Sequence, residues 1–244
     1  MLRLYGLQTK YNRYFLSDQL ESPLMATSDR PVPVQPQTPK PRLRPRRSEP
    51  MPWLKPGIFL GGLVPLISLG LRWSQDALGA NPIAQIQNEL GLTALIFLVA
   101  VLACTPAKRV LGWTWQIRVR RELGLFAFFY ASLHFLNYLV LDQFFDFGVI
   151  LEDIAKRPFI TVGFAALVLL APLAITSTNG WVRRLGYRRW ERIHKLVYVA
   201  GVLAVIHFIW RVKIDVSQPL TYAAIVGVLL AARVVWWLRK RVAS

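Results

Sequence analysis

Residues 190–213 read WERIHKLVYVAGVLAVIHFIWRVK, an apolar run collared by basic residues at both ends and carrying His194 and His207. The chain's remaining histidine, His134, lies in a second apolar run, residues 123–141. All three imidazoles are thereby placed at membrane depth, where an ionisable side chain is unfavourable without a partner and marks a functional site by default. The stretch sets two expectations at once. The fold is a bundle of spanning helices, and the histidines hold something inside it.

Working outward from this run, five more apolar segments occur at residues 53–73, 90–105, 123–141, 159–175 and 220–238. Each approaches the roughly 20 residues needed to cross a hydrocarbon core. Pro65 and the pair Gly61 and Gly62 fall inside the first, where a membrane helix tolerates them better than a soluble one does. Tryptophans such as Trp53, Trp73, Trp113, Trp190, Trp210 and Trp236 sit at or near the span ends, as an interfacial aromatic belt requires. With 54% apolar and 18% charged residues, the composition excludes an ordinary soluble domain. The expected fold is an all-α integral membrane protein, a six-transmembrane-helix bundle over residues 52–244. Residues 1–51, including PVPVQPQTPKPRLRPRRSEP at 31–50, are too proline-rich and too poor in apolar periodicity to form a core, and read as a disordered cytosolic tail.

The net charge of +17 invites a nucleic-acid reading, but the cations cluster in short segments between apolar runs. Lys108, Arg109, Arg118, Arg120 and Arg121 follow the second span. Arg183, Arg184, Arg188, Arg189, Arg192 and Lys195 precede or open the fifth, and Arg239, Lys240 and Arg241 follow the sixth. The alternate loops hold fewer cations, and Lys156 and Arg157 there stand beside Asp142, Asp146, Glu152 and Asp153. That alternation places both termini in the cytoplasm, with membrane lipid and not nucleic acid as the surroundings. The lone cysteine, Cys104, excludes an intrachain disulfide and a multi-cysteine metal site.

Depth decides which histidines can share a ligand. Spans three and five run in the same direction, and at about 1.5 Å per residue His134 and His207 both lie roughly 17 Å from the cytoplasmic edge. Two level imidazoles on co-directional helices suit the axial positions of one b-type haem iron. His194 lies about 20 Å lower and, at 3.6 residues per turn, is rotated by roughly 140° from His207, so a bend near Gly201 would be needed to aim both at one groove. No histidine matches its depth on span three. A second haem, a flavin-associated role and a side chain reaching for the headgroups all stay open for His194. Arg72, Arg211 and Lys213, near the outer face, are candidate contacts for haem propionates.

The runs RRELGLFAFFYASLHFLNYLVLDQ (120–143), RPFITVGFAALVLLAPLAITSTNGWVRRLG (157–186) and YRRWERIHKLVYVAGVLAVIHFIW (187–210) closely resemble the haem-binding membrane subunits of bacterial periplasmic methionine-sulfoxide reductase systems, within the ferric-reductase-like transmembrane family. The resemblance covers residues 52–244. It implies a haem b protein of the bacterial inner membrane that passes electrons outward to MsrP, a soluble molybdopterin reductase repairing oxidised methionines. It also implies FMN as an associated cofactor, and quinol or a cytosolic flavin reductase as donor. Its haem-associated histidines carry over onto His134, His194 and His207. Only six residues follow 238, and no glycine-rich dinucleotide fingerprint occurs, so electrons from a nicotinamide cofactor are expected to arrive through another protein or a quinol. Catalysis is expected on the partner. The competing readings are an electron carrier with another acceptor such as a metal ion, and a haem-free proton-relay transporter.

Overall fold

Local signals in the sequence fix where each helix of the bundle begins and ends. The computed structural model describes residues 51–242, and the expected tail lies outside them apart from Met51. The first span is α1, Leu54–Ser74, and it runs unbroken through Pro65. The second, α2, covers Pro82–Leu111. Asn81 caps it by accepting a hydrogen bond from the Ala84 amide at 3.0 Å, Pro82 occupies its first position, and Gly112 ends it in the left-handed conformation at φ 69°. Hydropathy alone starts this span at residue 90, whereas the cap starts it at 82. The extra turns carry Gln87 and Asn88 into the bundle.

The third span is α3, Trp115–Asn137, continued by a π-helical turn at Tyr138–Asp142. A short amphipathic helix, α4 (Phe147–Lys156), follows, capped by Asp146, whose Oδ1 accepts from the Gly148 and Val149 amides at 3.0 and 3.1 Å. The fourth span, α5 (Pro158–Ile175), opens on proline. Two short helices then turn the chain, α6 (Asn179–Leu185) and α7 (Tyr187–His194), with Gly186 at φ 72° between them. Lys195 breaks the fifth span into α7 and α8 (Leu196–Arg211). The sixth is α9, Ser217–Val242. The six candidate spans expected from the sequence are all present, and no strand occurs among the described residues.

α8 is unbroken through Gly201, where Cδ1 of Leu102 is 3.1 Å from the place a Cβ would take, so this glycine serves close packing on α2. Lys195, between α7 and α8, keeps right-handed helical dihedrals at φ −71° and ψ −18°, so the separation of His194 from His207 is that of their spacing along the span.

Packing is pairwise. α3 lies along α2, and α8 lies along α5, each pair joined most extensively of any in the bundle. The central core joins Leu98, Leu102, Ala127, Leu170, Ala200 and Val205 from four helices. A second cluster seats α1, where Tyr130 is fully buried and donates to the Gly62 carbonyl at 2.6 Å while Phe126 packs against Gly62 itself. α9 is fastened from inside the bundle by Arg233, which donates to the Leu102 carbonyl and, at 3.0 Å, to the Leu229 carbonyl, with its guanidinium 5.2 Å from the Tyr198 ring centre. Apolar side chains such as Phe59, Leu60, Val64, Val168 and Val228 are exposed on the spans' outward faces. That inversion is what a lipid solvent requires.

The helix ends sort by charge. Arg109, Arg121, Arg184, Arg192 and Arg239 belong to one end of the bundle, here called the basic face. The other, the acidic face, carries Glu89, Asp142, Asp146, Glu152, Asp153 and Asp215. Arg72 is paired to Glu89 there at 2.6 Å.

Candidate haem site between two histidines

The site is built from four helices that present small residues to one another. Gly91 and Ala94 on α2, Ala127 and Ala131 on α3, Gly163 and Ala166 on α5, and Ala204 on α8 line a cavity of about 300 Å³. Their shortness leaves room between helices that would otherwise close. The volume lies at the lower end of the range for cofactor pockets, roughly 300–1,000 Å³.

His134 on α3 and His207 on α8 both line this cavity, with ring centres 6.1 Å apart and planes at 86°. Each ring nitrogen has an assigned role because a carbonyl oxygen can only accept. Nδ1 of His134 donates to the Gln87 carbonyl at 2.8 Å, and Nδ1 of His207 donates to the Phe159 carbonyl at 2.7 Å. Both Nε2 atoms therefore keep a lone pair. The Gln87 side-chain amide stands 3.3 Å from Nε2 of His134, as a donor facing that acceptor, and itself accepts from Asn137 at 2.6 Å.

Two glycines make this placement possible. A Cβ on Gly91 would lie 2.9 Å from the His134 ring, and one on Gly163 would lie 2.6 Å from Nδ1 of His207. Each imidazole thus lies in a notch cut into the helix that holds its Nδ1 proton.

The residues fit a haem. Metal–imidazole bonds of about 2 Å on either side of one ion put the ring centres close to 6 Å apart, and the observed separation is 6.1 Å. Backbone carbonyls on the far nitrogens orient both rings, as they do for metal-ligating histidines generally. Among the described residues no three His, Cys, Asp or Glu side chains converge to form a metal cage. Two imidazoles lining one apolar cavity would suit a haem, whose macrocycle supplies the iron's other bonds. The walls, with Leu95, Leu98 and Leu170, are apolar.

His194 is not brought into this cavity. Its ring lies against Trp190, centres 4.0 Å apart, and its Nδ1 is 3.1 Å from the Trp190 carbonyl. Trp190 in turn donates its indole N–H to the Thr176 carbonyl at 2.9 Å, tying α7 to the end of α5. Of the three cations named for propionates, Arg211 lines the cavity, Arg72 is held by Glu89 and Lys213 is exposed outside the lining.

The sequence reading missed Gln87, Gly91, Phe159, Gly163 and Arg157. The glycines carried no packing signal: Gly91 and Ala94, and Gly163 and Ala166, stand three apart and not at the four-residue spacing that marks a close helix contact in membranes. Carbonyl acceptors leave no mark in a sequence.

Six spans surround this small-residue cavity, and two imidazoles from different helices line it. Residues 90–205 match the family described as "Ferric reductase like transmembrane component". Within that class the chain belongs to the MsrQ family. It is 55% identical over 184 residues, 75% of this chain and 88% of the relative, to the "Protein-methionine-sulfoxide reductase heme-binding subunit MsrQ" of Rhodospirillum rubrum. It is 52% identical over 190 residues to the protein so named in Herminiimonas arsenicoxydans, covering 77% of this chain and 87% of that one. Against the Deinococcus radiodurans relative of the same name the figures are 51% over 188 residues, 77% and 93%. The chain is a multi-pass membrane protein.

Proposed function

We propose that this chain is the haem-binding, electron-transferring membrane subunit of a protein-methionine-sulfoxide reductase system, with haem b held by His134 and His207. The observation that carries the reading is the pair of imidazoles lining one cavity with ring centres 6.1 Å apart, each with an Nε2 lone pair. That of His134 now faces the Gln87 amide, which must turn aside for an iron to bind. The relatives' names, "heme-binding subunit", support it. When bound, the haem supplies a one-electron couple, and the protein supplies placement and tuning.

The chain's own residues do the rest. Gln87 and Phe159 carbonyls hold the Nδ1 protons, which fixes both tautomers and keeps both rings neutral ligands. Small residues and leucines keep water from the walls. The basic face lies in the cytoplasm by its Lys and Arg content, so the histidine pair is nearer the outer side of the bacterial inner membrane. Electrons enter from quinol or a cytosolic flavin reductase and leave to MsrP, where the sulfoxide is reduced. His194, toward the basic face, is the residue for a second haem or for FMN.

Proteoliposomes test this. Protein reduced with a short-chain quinol should be reoxidised, followed at the Soret band, when purified MsrP and methionine sulfoxide are added together. Reoxidation by ferric citrate and not by MsrP would favour a metal-ion acceptor. A colourless protein from cells with ample haem would end the haem reading.

A further inference from the structure

The cavity is not uniform along its length. Its basic-face half is walled by Leu95, Leu98, Ala166 and Leu170, while Asn88, Tyr138, Asp142, Arg157 and Arg211 line it only where the spans reach the acidic face. Two of these follow the histidines by four residues. Tyr138 succeeds His134 and Arg211 succeeds His207, so each lies just over one turn, about 6 Å, beyond its histidine on the same helix face. Arg157 arrives from the opposite wall, as the residue before α5 and two before the carbonyl that holds His207.

Arg157 is held in place. Its Nε donates to Asp153 Oδ1 at 3.1 Å, and the Tyr138 hydroxyl donates to Asp153 Oδ2 at 3.1 Å. Asp153 is buried, with a side chain only 9% exposed. One carboxylate behind the wall thus fixes two groups on the wall, and the terminal nitrogens of Arg157, a side chain 56% exposed at the cavity's rim, remain available as donors. On the other side Arg211 is steadied by a hydrogen bond to Asn88. Asp142, a carboxylate on the same rim, is exposed and accepts from Gln143 at 3.0 Å.

The geometry points to Arg157 and Arg211 as a two-armed clamp for the pair of carboxylates that haem carries on one edge, with Asp153 and Tyr138 as positioning residues. This rests on the haem reading above and adds to it a direction. The carboxylate edge faces the acidic face of the bundle, and the apolar edge faces the leucines. The clamp draws one arm from the loop before α5, which reading by depth and charge in the spans did not reach.

The test uses full-length protein stripped of haem and reconstituted with haem b or with its dimethyl ester, which lacks both charges. Wild type should bind the ester about tenfold or more weakly, the scale of a lost charge-assisted hydrogen bond. Arg157→Gln with Arg211→Gln should weaken haem b by a similar factor and leave the ester unchanged. In addition, Arg157→Gln should lower the haem midpoint potential and Asp153→Asn should raise it, because one removes and the other exposes a positive charge near the iron. Equal wild-type affinity for the two ligands overturns the clamp, as does a double variant that weakens both alike, and as do potentials that shift in the same direction. Failure of wild type to bind either ligand refutes instead the His134 and His207 site.

Discussion

His134 and His207 are where a few tenths of an ångström decide function. Each ring fills a notch that only glycine leaves open, so adding one methyl should move the ring rather than the helix. Gly163→Ala brings a Cβ within 2.6 Å of Nδ1 of His207, and Gly91→Ala within 2.9 Å of His134. Both variants are expected to insert and fold while losing most of their low-spin haem, read by haem content per protein; wild-type haem content in both would remove the notch from the account. Gln87 is a second sensitive point, since its carbonyl and its amide both address His134. At this scale the sequence was legible in part. Three histidines in apolar runs announced themselves by chemistry, and level depth paired the two that the bundle brings to one cavity. The acceptors of their Nδ1 protons are main-chain oxygens, and any residue supplies one.

Among elements, the divided fifth span governs what His194 can do. Lys195 ends α7, and Trp190 and the Thr176 carbonyl hold that short helix against α5. His194→Ala is therefore expected to leave the haem between His134 and His207 intact, with any spectral loss confined to a second centre; disappearance of the first would join the sites. Helix docking offers two further predictions. Tyr130→Phe removes a buried hydroxyl's bond to the Gly62 carbonyl and should destabilise the α1 contact by about 1 kcal/mol, seen as a lower midpoint of thermal unfolding in detergent. Arg233→Ala removes two bonds to carbonyls on α2 and α9 and should lower that midpoint further without changing the haem spectrum. The spans themselves were readable because lipid demands long apolar helices. The start of α2 was not readable from hydropathy, since Gln85, Gln87, Asn88 and Glu89 look like loop residues until the bundle supplies their partners. Likewise α4 is a short interfacial helix between spans, and hydropathy sees only a loop there.

For the molecule as a whole, the cations gather at one end of the bundle and most carboxylates at the other, and the paired histidines lie toward the carboxylate end. In the proposed orientation, with the basic face in the cytoplasm, that asymmetry would place the proposed haem near the outer side, where a soluble acceptor could approach. Everything in this arrangement depends on one iron shared by imidazoles from α3 and α8. The most direct test is low-temperature electron paramagnetic resonance of the oxidised protein and its histidine variants. Imidazole planes set at 86° predict a strongly anisotropic low-spin ferric signal, present in wild type and His194→Ala and absent from both His134→Ala and His207→Ala. Survival of that strongly anisotropic signal after the loss of either His134 or His207 would contradict the account.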